Sequence, residues 1–251
     1  FFAKCVFAGI TPAEEKKIIN DAHPFGQHIF DTPLINPETF ATQNSLSSQS
    51  SYIKSMCHLP GLHCVKIDPR EIWVDIFPKP NVQHTMMRLD RTNVALFYRN
   101  WLVVPTDWHN LHDWDFSPMP LYRNTHHHRL VVVNLHKFAF GAYDEHGHLL
   151  RWGPASSGAK ICPENSVRSC LTPHGSFRVF KIGGENCISN TYPLSTKGGA
   201  PMPYCMFFHS GFAMHASTLM GFKNMSSGCV RLFIDDAKWL NNNFVTVGTQ
   251  V

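Results

Sequence analysis

The chain has 251 residues, 43% hydrophobic and 16% charged, which suits a globular protein of one large or two small domains. Its net charge of +4 is small and spread out, which gives no support to a nucleic-acid-binding surface. No apolar run approaches the roughly 20 residues of a membrane-spanning helix, so no transmembrane segment is expected.

The chain starts at Phe1 rather than Met, so an upstream targeting segment absent from it is expected. Thr11-Pro12-Ala13-Glu14 combines an N-cap residue, Pro at the first helical position and Glu at the third, predicting a helix through Ala22. Residues 42–51 are rich in Ser and Gln and read as a polar connection. Together these make residues 1–63 a helical and loop region.

Residues 64–106 read as a compact βααβ unit. Cys64-Val65-Lys66-Ile67 is strand-like, Glu71 to Phe77 has apolar residues at helical spacing, Met86 to Asn93 suggests a second helix, and Trp101 to Pro105 a second strand. Residues 107–128 carry Trp114, Phe116, Pro118, Met119 and Pro120, a linker expected to lie on the domain that follows.

From residue 129 to 251 the pattern is β-rich. Val131-Val132-Val133 is β-branched, Lys137 to Tyr143 alternates, and Asp144-Glu145-His146-Gly147-His148 supplies a hairpin turn. Short strands recur through Phe177 to Phe180, and Asp235 to Asn241 predicts a helix. The expected fold is a mainly β C-terminal domain, a sandwich or partly closed barrel, preceded by a small α+β domain.

Eight cysteines are many for a reduced cytosolic enzyme. Cys57 with Cys64, and Cys162 with Cys170, are spaced to close short loops, and oxidised pairs there point to an oxidising bacterial envelope. With Cys229 reserved as a reactive thiol, seven cysteines are left, so one of Cys5, Cys187 and Cys205 should be unpaired. The sixteen histidines invite a metal reading, but the side chains of His126-His127-His128 alternate in an extended segment and cannot converge on one ion. No metal site is expected.

The most chemically informative stretch is Ser226-Ser227-Gly228-Cys229-Val230-Arg231-Leu232, downstream of His215. It joins a thiol in a small-residue turn to an imidazole that can act as its base, and such a pairing can lower the thiol pKa by forming a thiolate–imidazolium pair. Backbone amides of Ser227, Gly228 and Cys229 are candidates for an oxyanion hole. His209, an even offset from His215, is expected on the same face of a strand as a substrate-groove residue or second base. Arg231 is a candidate for a substrate carboxylate, Tyr204 for the groove wall, and Ser226 for a turn-forming hydroxyl.

These residues resemble the signature of the L,D-transpeptidase (YkuD-type) family, and the likeness is carried by several ordered motifs. Phe212 to Ala216, Leu219 to Phe222 and Ser226 to Leu232 resemble its catalytic segment. Val131 to Leu135, Ser156-Ser157-Gly158, Thr172-Pro173-His174-Gly175-Ser176-Phe177 and Pro201-Met202-Pro203-Tyr204 resemble its upstream motifs. The likeness runs from near Arg129 to the end of the chain. One position departs: Ser227 stands where the family usually has His. The βααβ segment resembles a LysM-like module.

The resemblance implies a cysteine-dependent acyltransferase. Cys229 would form a thioester with a peptidoglycan stem peptide and pass it to an acceptor amine, with His215 as base and no cofactor. It further implies peptidoglycan stem peptides and glycan strands as partners, carbapenem-type drugs as inhibitors, and a periplasmic or exported location. Two other outcomes stand beside it: an L,D-carboxypeptidase or amidase using the same site, or a cell-wall-binding protein whose active site has degenerated through Ser227.

Overall fold

The computed structural model describes residues 56–68, 70–107, 111–163 and 168–251. The expected helix at residues 11–22 and the polar connection at 42–51 lie outside them. The N-terminal part has the expected βααβ order. Strand β1 (Leu62–Lys66) pairs antiparallel with β2 (Trp101–Pro105), and helices α1 (Trp73–Ile76) and α2 (Pro80–Leu89) lie between them. The second helix starts and ends earlier than expected. Pro80 supplies the first helical residue, where its missing N–H is no loss, and Arg91 at φ 55° turns the chain out of the helix. Helix α2 buries Val82, Met86 and Leu89 along one stripe, the spacing of an amphipathic helix.

The linker does lie on the C-terminal domain. Phe116 and Met119 are buried, the Trp152 indole N–H donates to the Asp113 carbonyl, and the Tyr143 hydroxyl donates to the Pro120 carbonyl. One hydrophobic core runs from Met56, Leu62, Met86 and Leu102 into Phe138, Tyr143, Trp152 and Phe222. The two parts of the chain therefore share an interior.

The C-terminal part is mainly β. Seven strands form one curled sheet in the order β3-β4-β5-β9-β8-β7-β6. They are β3 (Leu130–Asn134), β4 (Ala139–Tyr143), β5 (Leu149–Ser156), β6 (Lys181–Ile182), β7 (Met206–His209), β8 (Phe212–Ala216) and β9 (Val230–Leu232). The β4–β5 turn is the one expected at residues 144–148, with Gly147 at φ 89°. Its Asp144 side chain accepts the N–H groups of His146 and His148. Residues at the C-terminal end draw the sheet into its curl: Val131 N–H donates to Gln250, and Phe177 and Val251 exchange backbone hydrogen bonds.

Strand alternation divides the sheet into two faces. Phe140, Ala142, Met206, Phe208, Met214, Ala216, Val230 and Leu232 point into a second core. Helix α3 (Ile234–Trp239) and the π-helical turn after it cover this core with Ala237, Leu240 and Phe244. Residues 213, 215, 229 and 231 fall on the opposite face. The histidine run at 126–128 is exposed, with His126 and His127 in left-handed conformation rather than extended.

Three disulfides join Cys57 to Cys64, Cys162 to Cys170 and Cys187 to Cys205. The first two are the expected short loops, and the third shows that Cys187 and Cys205 are both paired. Cys229 is the free thiol among the described residues, where Cys5 is not included.

A buried charged junction fastens the N-terminal part to the sheet. Arg88 donates to the Trp152 carbonyl at 2.6 Å and to Asp236 at 2.6 Å, and contacts Asp113 at 3.1 Å and Asp235 at 3.2 Å. Arg151 bonds the same Asp235 and Asp236. His84 bridges Asp113 at 3.3 Å and Asp235 at 3.2 Å, one ring nitrogen to each. Two carboxylates facing two ring nitrogens call for a proton on both, and hydrogen bonds to Asp113 and Asp235 raise the His84 pKa to about 9. The Gly153 backbone leaves room for this cluster, since a Cβ there would sit 2.1 Å from an Asp236 oxygen.

Candidate active site

β8 and β9 pair in parallel, with Met214 opposite Val230, His215 opposite Arg231 and Ala216 opposite Leu232. Met214 and Val230 enter the core, so His215 and Arg231 share the other face, and Cys229, two residues before Arg231, shares it too. All three line a cavity of about 1080 Å³, together with Ser227, Phe212 and Met202.

The turn that presents Cys229 is held by side-chain hydroxyls. Ser226 Oγ accepts the Gly228 N–H at 3.0 Å and donates to the Cys229 carbonyl. Ser226 is therefore a turn-forming residue, as its sequence context suggests. Thr172 Oγ1 accepts the Gly158 N–H at 2.9 Å and donates to the Gly228 carbonyl at 2.6 Å, tying the Ser-Ser-Gly turn to the Cys229 turn. Gly228 has φ 128°, and a Cβ on it would lie 2.6 Å from the Phe212 ring. Gly158 is equally constrained, because its Cβ would fall 1.7 Å from the Cys170 carbonyl oxygen. The Cys162–Cys170 disulfide thus lies in the loop that supports the Cys229 turn. The Thr172 bridge is the main contact missed from sequence, although its Thr-Pro motif marks the position.

His215 is buried, and its Nδ1 lies 2.9 Å from the Ala216 carbonyl oxygen. A carbonyl only accepts, so Nδ1 carries the proton and Nε2 holds the lone pair. Burial, with the positive charge of Arg231 nearby, lowers the His215 pKa to about 4 although the Ala216 bond opposes this. The Cys229 thiol is pushed up by burial, against the pull of the Ala213 amide and of Arg231. A preformed thiolate–imidazolium pair, one of the sequence expectations, is therefore not the resting state: both groups are neutral. The Arg231 guanidinium has no carboxylate partner within ion-pair distance among the described residues.

Three expected site residues are placed differently. His209 is exposed and does not line the cavity; its ring lies 4.9 Å from that of Phe177 and 6.0 Å from that of Phe212. The chain reverses at Ser210 and Gly211, so His209 is on β7 and His215 on β8, and spacing along a single strand does not relate them. Tyr204 is buried in the second core, where a left-handed φ of 58° just before the disulfide-bonded Cys205 turns it away from the cavity. The Gly228 N–H is engaged by Ser226, which leaves the amides of Ser227 and Cys229 as the donors of that turn free to face a substrate.

The curled sheet places a free thiol, Cys229, and a neutral imidazole, His215, along one cavity, an arrangement that is chemically able to support nucleophilic acyl transfer. The family profile of the YkuD L,D-transpeptidase catalytic domain matches residues 128–251, and this part of the chain belongs to that family. No curated protein matches the sequence. Among solved structures, an L,D-transpeptidase from Xylanimonas cellulosilytica is 25% identical over 53% of this chain and 64% of its own, with a TM-score of 0.45. One from Mycobacterium smegmatis is 26% identical over 49% of this chain and 56% of its own, at 0.39. L,D-transpeptidase 3 of Mycobacterium tuberculosis, solved with a faropenem-derived adduct, is 23% identical over 49% and 58%, at 0.39. The chain thus spans less than two thirds of the length of these structures.

Proposed function

We propose that this protein is a peptidoglycan L,D-transpeptidase of the bacterial envelope that works through a Cys229 thioester. The observation that carries the reading is that Cys229 shares one cavity with His215 and Arg231 on the face of the family's catalytic domain. With Nδ1–H held by Ala216, the Nε2 lone pair of His215 takes the thiol proton as sulfur attacks the carbonyl of the third residue of a donor stem peptide. The C–N bond to the terminal D-amino acid breaks, and His215 returns the proton to the departing amine. The Ser227 and Cys229 amides would hold the oxyanion, and an acceptor amine then resolves the thioester.

Arg231 suits a carboxylate of the stem peptide, since it carries a charge with no carboxylate counter-ion among the described residues. Two neutral resting groups mean that proton transfer accompanies attack, so the rate should respond to substrate binding that excludes water from the cavity. The three disulfides support an oxidising compartment, and among the described residues no helix is long and apolar enough to cross a membrane. The LysM-like reading of the βααβ unit, with glycan as its ligand, belongs to the same proposal.

Intact-mass measurement with a defined tetrapeptide donor tests it. A mass gain on wild type that is lost in Cys229→Ala, and a crosslinked product when an acceptor amine is added, are expected. Hydrolysis of the adduct even with acceptor present would make the protein an L,D-carboxypeptidase. Absence of any adduct, with carbapenem also failing to acylate Cys229, would make it a wall-binding protein.

A further inference from the structure

We infer that Asn93, in the N-terminal part of the chain, is a positioning residue for the catalytic pair; this rests on the reading that Cys229 and His215 react together. The segment between them, residues 217–229, leaves the end of β8 and returns to the start of β9. Its first half is gripped from outside the family-matched region. Asn93 Nδ2 donates to the Ser217 carbonyl at 3.1 Å, and Asn93 Oδ1 accepts the Leu219 N–H at 2.8 Å. Thr92 Oγ1 donates to the Leu219 carbonyl at 3.1 Å, and the Arg99 guanidinium donates to that of Met220 at 2.9 Å. The backbone adds to this, with Gly221 N–H donating to the Arg91 carbonyl at 3.0 Å.

The side chain of Asn93 fits this task because an amide offers a donor and an acceptor on one planar group. It copies the edge of a β-strand and pairs with the peptides on either side of residue 218. The effect reaches His215 through two consecutive peptides. The Ala216 carbonyl sets the imidazole tautomer, and the N–H of the same peptide, that of Ser217, donates to Leu232 at 3.0 Å beside the strand that carries Arg231. The carbonyl of that same Ser217 is the one Asn93 holds. Loosening it frees the peptide that orients the base, while Cys229 keeps its own supports in Ser226 and Thr172. Leu219 is fully buried under this contact, so the grip is packed as well as hydrogen-bonded.

The test measures two rates in the full chain: thioester formation on the tetrapeptide donor, and alkylation of Cys229 by iodoacetamide from pH 5 to 10. Asn93→Ala should lower kcat for acylation at least about tenfold with KM little changed, and should alter the shape of the alkylation pH profile. Thr92→Val, which removes only one bond to Leu219, should show a smaller change of the same sign and serves where Asn93→Ala folds poorly. Val82→Ala, buried in α2 and remote from the loop, is the control for lost stability; at a similar fall in Tm it should leave both rates near wild type. The inference is overturned if Asn93→Ala and Thr92→Val keep the wild-type alkylation profile, or if Val82→Ala reproduces their loss. Alkylation needs no stem peptide, so a wild type that alkylates normally but forms no thioester refutes the proposed function and leaves the positioning role to be decided by the alkylation profiles.

Discussion

His84 and His215 belong to two polar clusters in the same protein with opposite electrostatics. At the junction, His84 lies between Asp113 and Asp235, with Arg88 and Arg151 completing a set in which every charge has opposite neighbours. There the imidazole is held charged, with a pKa of about 9. In the cavity, His215 has a carbonyl and an arginine for company, and its pKa falls to about 4. At His84 the two carboxylate partners outweigh burial, whereas at His215 burial is itself the largest cause of the shift, with Arg231 adding to it. The junction uses charge to fasten two parts of the chain, whereas the cavity keeps His215 neutral and leaves Arg231 without a carboxylate partner among the described residues.

Removing the Cys229 thiol tests the cavity side of this contrast most severely. Cys229→Ala should abolish thioester formation on any donor while leaving thermal stability close to wild type, because the thiol is partly exposed and supports little packing; mass spectrometry and calorimetry report the two effects. Turnover by this variant would remove Cys229 from the mechanism.

The junction should respond in stability. Arg88→Met leaves the fully buried Asp236 with only Arg151 as an ionic partner and should cost about 3–5 kcal/mol in urea unfolding. Arg88→Met combined with Asp236→Asn should recover part of that loss, as expected for coupled partners. An additive double variant would show that the pair acts independently.

pH separates the two histidines directly. His84 has a raised pKa in the folded state, so its contribution to stability is complete below the ordinary value of 6.5 and fades as pH rises through about 9. His215 has a lowered one, so burying it neutral favours the fold above 6.5 and loses that advantage as pH falls toward 4. Tm against pH should therefore slope at both ends. His84→Gln should flatten the alkaline slope and, by removing the partner of Asp113 and Asp235, also alter stability at the acid extreme. His215→Gln should reduce the slope between pH 6.5 and 4 and leave the alkaline one. An alkaline slope that survives in His84→Gln would assign it to another group.

The smallest change is expected at Ser227. If it acts through its backbone, Ser227→Ala should alter the acylation rate by no more than about tenfold, about 1.4 kcal/mol of barrier. A loss of about a thousandfold would instead make its hydroxyl an oxyanion donor. Thioester formation seen only in Ser227→His would show that the natural site has lost its chemistry.

Much of the fold could be read from local chemistry. Asp144 to His148 specified a tight turn and Val131 to Val133 a strand, but the helix expected at Met86 to Asn93 runs from Pro80 to Leu89, so both its ends were placed too late. The nucleophile turn was legible because Ser, Gly and Cys each carry a constraint that shows in sequence: a hydroxyl that caps, a backbone that needs φ 128°, and a reactive sulfur. His209 was misplaced because periodicity assumes one unbroken strand, and a hairpin turn at Ser210 and Gly211 breaks it. Tyr204, a candidate for the groove wall, is turned into the core by a left-handed backbone that its sequence does not announce. The junction was not legible at all. Its members come from residues 84, 88, 113, 151, 235 and 236, and only the folded chain brings them together.

The parallel pairing of β8 with β9 has a consequence for how the molecule can be divided. An antiparallel pair needs only a short turn, but parallel neighbours require the chain to travel back before the second strand begins. Residues 217–229 make that journey, and on the way they meet Thr92, Asn93 and Arg99, more than a hundred residues upstream. The stretch that a family profile recognises is accordingly shorter than the unit that can be cut out and expressed with its catalytic segment intact. Among the described residues the shared interior begins at Met56, and the Cys57–Cys64 bridge lies beside it, so a usable boundary falls before Met56 rather than at residue 128.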